Sequence, residues 1–238
     1  MTILGLNSQD RFAATSYDVL NRFGVHLTTG YDFEEYRDIL AKGRPDHILG
    51  APFDPSLHKL DSRNSMWVVG HDSDGHIMHT QALRMLDLQG DTLGTYLRRR
   101  FKDFPPSGLD LDMERSRFRA GPGAKHISGR VCYHGEVWMG GKPGQFRGTG
   151  VSSILGRFAF LTALQQWSPD YVFGFMPKPV AHKGFVERQG YMHAEPFALR
   201  WYIKNEPDPL EGFLAYMSRE DMHFVLDLPE SDLEALAA

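Results

Sequence analysis

The sequence predicts an α/β (α+β) chain, on three observations. Apolar residues recur at helical spacing near the start, and an alternating hairpin pattern follows over residues 65–88. Between residues 131 and 167 a strand, a glycine-dense turn and a long apolar helix then succeed one another. With 238 residues, 42% hydrophobic and 24% charged, the chain has the size and balance for one substantial core. Residues 1–204 read as a single domain and residues 205–238 as an acidic C-terminal extension.

Residues 9–42 read as helical. Phe12, Tyr17, Leu20, Phe23 and Val25 form one stripe, and Phe33, Tyr36, Ile39 and Leu40 a cleaner one. Thr28, Thr29 and Gly30 separate them, and Asp32 is placed to cap the second helix. Residues 42–64 are rich in Pro, Asp, Gly and His without a sustained period, which predicts a long loop, a lid or a wall on the acceptor side. In the hairpin, Asp72 to Gly75 supply the turn. A short helix over residues 91–104 ends in the basic run Arg98-Arg99-Arg100-Phe101-Lys102, which complements a helix C-terminus. A basic face for an anionic carrier protein is the other reading of that run. Pro105-Pro106 stops this helix, and residues 109–118 alternate as a strand. After the long helix come a strand over residues 170–176, one or two helical turns over 182–189, and a last strand over 198–203.

The strand over residues 131–139 runs into Gln145-Phe146-Arg147-Gly148-Thr149-Gly150-Val151. Without Cβ atoms, Gly148 and Gly150 let the backbone turn sharply and let a ligand approach its N–H groups. The helix that begins there turns its unpaired N–H groups and positive dipole end toward that ligand, which makes an anion site, typically for phosphate. No Lys follows the glycines as in a P-loop, and GxGxxG is absent, so nucleoside triphosphates and NAD are not the natural guests.

Several classes are set aside. A net charge of −4 leaves no nucleic-acid footprint. The single Cys132 excludes an internal disulfide and fits a reducing compartment. No apolar run reaches the ~20 residues of a membrane span, and the first residues lack the layout of a secretion signal, so a cytoplasmic location is expected. His71, His76 and His79 with two aspartates match no standard ligand spacing, and no metal is expected.

The Gln145-x-x-Gly148-x-Gly150 pattern resembles the pyrophosphate loop of the GNAT N-acyltransferase superfamily. Phe185-Val-Glu-Arg-Gln-Gly-Tyr191 resembles that family's late motif. The resemblance covers roughly residues 9–204 and implies a central mixed, mostly antiparallel sheet flanked by helices. It also implies an acyl-CoA (acetyl-CoA) co-substrate, held by Trp138, Met139, Gln145, Phe146, Arg147, Gly148, Thr149, Gly150 and Val151, and a small-molecule amine acceptor. Val186 stands where the family usually carries its tyrosine general acid. A narrower resemblance links Glu114-Arg-Ser-Arg117-Phe, Arg84 and the Asp32/Glu35 pair to acyl-homoserine lactone synthases. It implies acyl carrier protein and S-adenosylmethionine as partners, with Arg84 and Arg117 on the substrate. A catalytically silent acyl-thioester-binding module is the third reading, and a homodimer stays open.

Acyl transfer to an amine needs a held thioester, a donor to the carbonyl oxygen and an acceptor for the amine's proton. A backbone N–H near Trp138 or Met139 would serve the oxygen. Glu136, just upstream of the loop and expected on one strand face with His134 and Trp138, is the first candidate base. Glu114, expected on a neighbouring strand, is the second.

Overall fold

A computed structural model describes residues 8–227 and residue 232. Its centre is an eight-stranded sheet, and the strands in chain order are β1 (His26–Gly30), β2 (Ser65–His71), β3 (Ile77–Leu86), β4 (Leu111–Phe118), β5 (Val131–Met139), β6 (Tyr171–Pro177), β7 (His193–Ile203) and β8 (Leu210–Ser218). Their order across the sheet is β1-β2-β3-β5-β6-β8-β7-β4. Only β5 and β6 run parallel, as the α-helical crossover between them requires. The expected mixed, mostly antiparallel sheet flanked by helices is therefore what the chain forms.

That crossover is α4 (Val151–Trp167), largely buried and apolar over most of its surface, with Gln165 and Gln166 exposed near its end. It packs between one face of the sheet and α1 (Ser8–Arg22) and α7 (Arg219–Leu226), burying Phe158, Phe160, Leu164 and Trp167 against Cys132, Val172 and Met217. On the opposite face α2 (Phe33–Gly43) covers Trp67 and Val69, while α3 (Leu93–Arg100) covers Leu86, Val131 and Phe173. Asp32 caps α2 as its position predicts, accepting from the amides of Glu34 and Glu35. Two single-turn helices, α5 (Lys178–Ala181) and α6 (Phe185–Arg188), follow β6.

Three expectations are corrected. Residues 9–42 are not all helical, because His26–Gly30 form an edge strand on β2, where Gly30 leaves room for the Trp67 indole. The boundary at residue 204 does not hold. The segment read as an extension supplies β8, which hydrogen-bonds to both β6 and β7, and α7, which buries Met222, Val225 and Leu226. The rest of that expected extension, apart from residue 232, lies outside the described residues. Finally, β4 is not a neighbour of β5. It forms the far edge on β7, with β6, β8 and β7 in between.

One irregularity positions the site. β5 and β6 pair only over Val131–Tyr133 and Tyr171–Phe173. Beyond that, β5 follows β3 to Met139 while β6 follows β8 to Pro177, so the two parallel strands part and leave a wedge.

Candidate active site

At the outer end of the wedge, residues 140–150 form the glycine loop. Gly141, Gly144, Gly148 and Gly150 all have positive φ, between 66° and 83°, a region that only glycine adopts without strain. The loop holds itself by short bonds: the Gln145 side chain accepts from the Lys142 amide at 2.9 Å, and Thr149 Oγ1 donates to the Phe146 carbonyl at 2.9 Å. Gly150 precedes the first residue of α4, and the amides of Gly148, Gly150 and Ser152 donate to no acceptor among the described residues. Together they present N–H groups to a groove of about 740 Å³ lined also by Met139, Arg147, Phe185 and Arg188. Lys142, Arg147 and Arg188 give it cationic walls.

Of the residues expected to hold the donor, Met139, Gln145, Phe146, Arg147, Gly148 and Gly150 line this groove. Thr149 and Val151 shape it from behind. Val151 is fully buried and Thr149 is hydrogen-bonded within the loop. Trp138 is on the other face of the sheet, packed toward α2 with the Arg44 guanidinium 4.1 Å above its ring. The spacing missed Ser152, one residue past the motif, and Arg188, which arrives by tertiary folding. Phe185 belongs to the late motif already noted.

In the wedge itself a smaller cavity of about 200 Å³ is lined by His134, Val137, Gly174 and Tyr191, among others. A Cβ at Gly174 would stand 2.9 Å from the His134 carbonyl and 3.0 Å from the Tyr191 hydroxyl, so a glycine is needed to leave this space open. A chain of buried hydrogen bonds backs this cavity. Gln81 Nε2 donates to the Leu155 carbonyl, which leaves Gln81 Oε1 to accept from His134 Nε2–H. His134 Nδ1 is then the bare nitrogen, and it accepts the Tyr191 hydroxyl proton at 3.0 Å. Burial pushes His134 down to about 3 and the Tyr191 hydroxyl well above its ordinary range, so both stay neutral. Val186, at the position of the expected acid, packs against the core. A tyrosine hydroxyl does line the wedge, from Tyr191.

Glu136 is on the opposite face from His134, contrary to strict alternation. The register of β3 and β5 slips between Thr80 and Ala82, and Glu136 adopts φ 57°, a bulge that turns it toward α2. Only 7% of its side chain is exposed. One carboxylate oxygen meets His47 Nε2 at 2.6 Å, and the other accepts the Gly50 amide at 3.0 Å. Its carbonyl accepts the Thr80 hydroxyl, and Thr80 Oγ1 accepts from Arg44 at 3.1 Å. Arg44 is the C-cap of α2, and His47 and Gly50 follow it within residues 42–64. Because residues 42–64 lack a period, nothing local marks His47 as the partner of Glu136.

Glu114, Arg117 and Arg84 do not form the expected cluster. Glu114 is exposed on the edge strand β4, and Arg117 reaches only Tyr202, 3.4 Å away on β7. Arg84 is on β3 and donates to the Pro52 carbonyl at 2.6 Å. The basic run that ends α3 is partly spent on ion pairs of Arg99 with Asp91 and Arg100 with Asp103. Asp72, Asp74 and His76 converge within 4.8 Å, but the Asp72 carboxylate already accepts the amides of Asp74 and His76 in an exposed turn. Among the described residues no helix is long and apolar enough to cross a membrane.

No protein-family model matches the chain, and no curated protein does. Among solved structures it is similar to a spermidine N-acetyltransferase SpeG chimera of Vibrio cholerae and hSSAT, at 10% identity and TM-score 0.45, covering 83% of this chain and 98% of that one. An N-acetyltransferase from Staphylococcus aureus Mu50 gives 11% identity and TM-score 0.42, covering 82% and 98%. The aminoglycoside acetyltransferase AAC(6')-Ib, in complex with coenzyme A and kanamycin, gives 10% and 0.43, covering 84% and 98%.

Proposed function

We propose that the chain is an acyl-CoA-dependent N-acyltransferase of GNAT type, acting on a small-molecule amine. The reading rests on one observation above all. The unpartnered amides of Gly148, Gly150 and Ser152, at the positive end of a 17-residue helix, open onto a cationic groove that leads into the wedge between β5 and β6. A pyrophosphate fits the amides, and a slender pantetheine arm fits a gap between two parted strands. The thioester carbon would then reach the face that carries Glu136.

In the reaction the amine nitrogen attacks the thioester carbonyl, the C–N bond forms, the C–S bond breaks, and sulfur leaves as thiolate. The amine must give up a proton. His47 donates Nε2–H to Glu136, which leaves its Nδ1 free to take that proton while the carboxylate stabilises the imidazolium. Glu136, expected as the base, acts in this scheme through His47.

Calorimetry with CoA tests the donor site. No atom lies within 4 Å of a Cβ built on Gly148, so Gly148→Val costs only backbone strain, ~1–2 kcal/mol. The folded variant should lose CoA binding. Unchanged affinity would remove the reading.

A further inference from the structure

We propose that the acyl group transferred is a medium-length fatty chain rather than acetyl, and that a second cavity on the α3 side of the sheet receives it. The inference rests on the donor reading above. The cavity measures about 760 Å³, and Phe104, Tyr133, Phe175, Leu199 and Trp201 line it. It adjoins the wedge across β6, whose Phe175, Met176 and Pro177 line both, and Tyr133 contributes to its wall at the point where β5 and β6 part. A thioester carried down the wedge therefore has its carbonyl beside Tyr133 and Phe175, and whatever follows the carbonyl is directed between these rings.

Size and chemistry fix the class of occupant. An acetyl group ends in one methyl and would leave almost all of this space unfilled, whereas 300–1,000 Å³ is the usual range for a site that encloses a whole small ligand. The aromatic walls pack against one another, Phe104 edge-on to Tyr133 at 5.0 Å and to Phe175 at 5.9 Å, so the cavity is braced. Its charged groups are engaged: Lys178 pairs with Glu211 at 2.6 Å, and Glu211 also meets Arg200. Neither is left to anchor a polar substrate, the His182 ring on the lining packs edge-on to Phe213 at 5.5 Å, and an unbranched hydrocarbon needs no partner. The amine acceptor has separate ground beside His47 and Glu136.

Binding of CoA and of non-hydrolysable thioether analogues carrying two, six, eight and ten acyl carbons tests this without knowledge of the acceptor. Affinity should rise with length by up to about fourfold per buried methylene until the cavity is full. Two variants locate the chain. A Cβ on Gly212 would make ordinary contact with Leu199 at 3.4 Å, so Gly212→Val narrows the cavity without a clash. Leu210, 43% exposed at the rim, tolerates Leu210→Glu, which places a charge there. Both should erase the gain for the eight-carbon analogue and leave CoA itself unchanged. CoA binding with no dependence on length, or a gain that survives both variants, overturns the proposal and leaves the donor reading intact. Failure of CoA to bind overturns the donor reading and this proposal with it.

Discussion

At the scale of single residues, the weight falls on Glu136 and His47. A carboxylate with 7% exposure and both oxygens occupied is a poor direct base for an incoming amine, while a 21%-exposed imidazole held by that carboxylate is a good one. Glu136→Gln keeps the shape and removes the charge that steadies the imidazolium. General-base catalysis is worth about 10²–10⁴ in rate, so turnover should drop by that order with CoA affinity unchanged. His47→Asn should do the same, and the double variant little more, because groups acting as one unit are not additive. Wild-type turnover in Glu136→Gln would move the proton elsewhere. The sequence placed Glu136 on the right strand but on the wrong face, because one extra residue in β5 overrides a period of two. His47 was illegible, since nothing local in residues 42–64 says what their side chains will touch.

Elements that carry a strong local signal were readable. The hairpin, the glycine loop and α4 all stand where period, turn chemistry and glycine spacing put them. β1 and β8 escaped, and for physical reasons. β1 has five residues, two of them threonines and one a glycine, and becomes a strand only by pairing with β2. β8 is preceded by Pro207 and Pro209 and interrupted by Glu211 and Gly212, which hide its alternation. The wedge is a property of two elements, and Gly174 is where a side chain would close it. Gly174→Val would drive methyl groups into the His134 carbonyl and the Tyr191 hydroxyl, filling the gap where the pantetheine arm is proposed to run. The variant should still bind 3',5'-ADP, the nucleotide half of CoA, within about threefold of wild type, since the loop lies outside the wedge. It should lose thiol release from acyl-CoA. Full thiol release from a folded Gly174→Val protein would show that the arm takes another route.

For the whole molecule, the buried polar core sets a limit toward acid. Burial holds His79 at about 4 and His134 at about 3, against ~6.5 in an unfolded chain. Above pH ~6.5 both states are neutral and the network contributes in full. As pH falls below that value the unfolded chain takes up protons that the folded one refuses, and stability declines until the folded values are reached. Each histidine contributes a slope of ~1.4 kcal/mol per pH unit within that window. Urea midpoints between pH 6.5 and 5.5 should therefore fall with pH, and His134→Gln should flatten the fall. An unchanged slope would mean that His134 does not resist protonation in the folded state.

The place of β8 has a consequence for how the protein is made. A ribosome delivers β7 before β8, yet β8 is seated between β6 and β7. Until residues 210–218 have left the exit tunnel, β4 and β7 have no backbone ladder to the rest of the sheet. During that interval β6, with its run Tyr171-Val172-Phe173-Gly174-Phe175-Met176, is a bare apolar edge open to any strand it meets. The interval between the emergence of Pro177 and that of Ser218 from the tunnel thus leaves the nascent chain open to aggregation, and a pause in translation there lengthens the exposure.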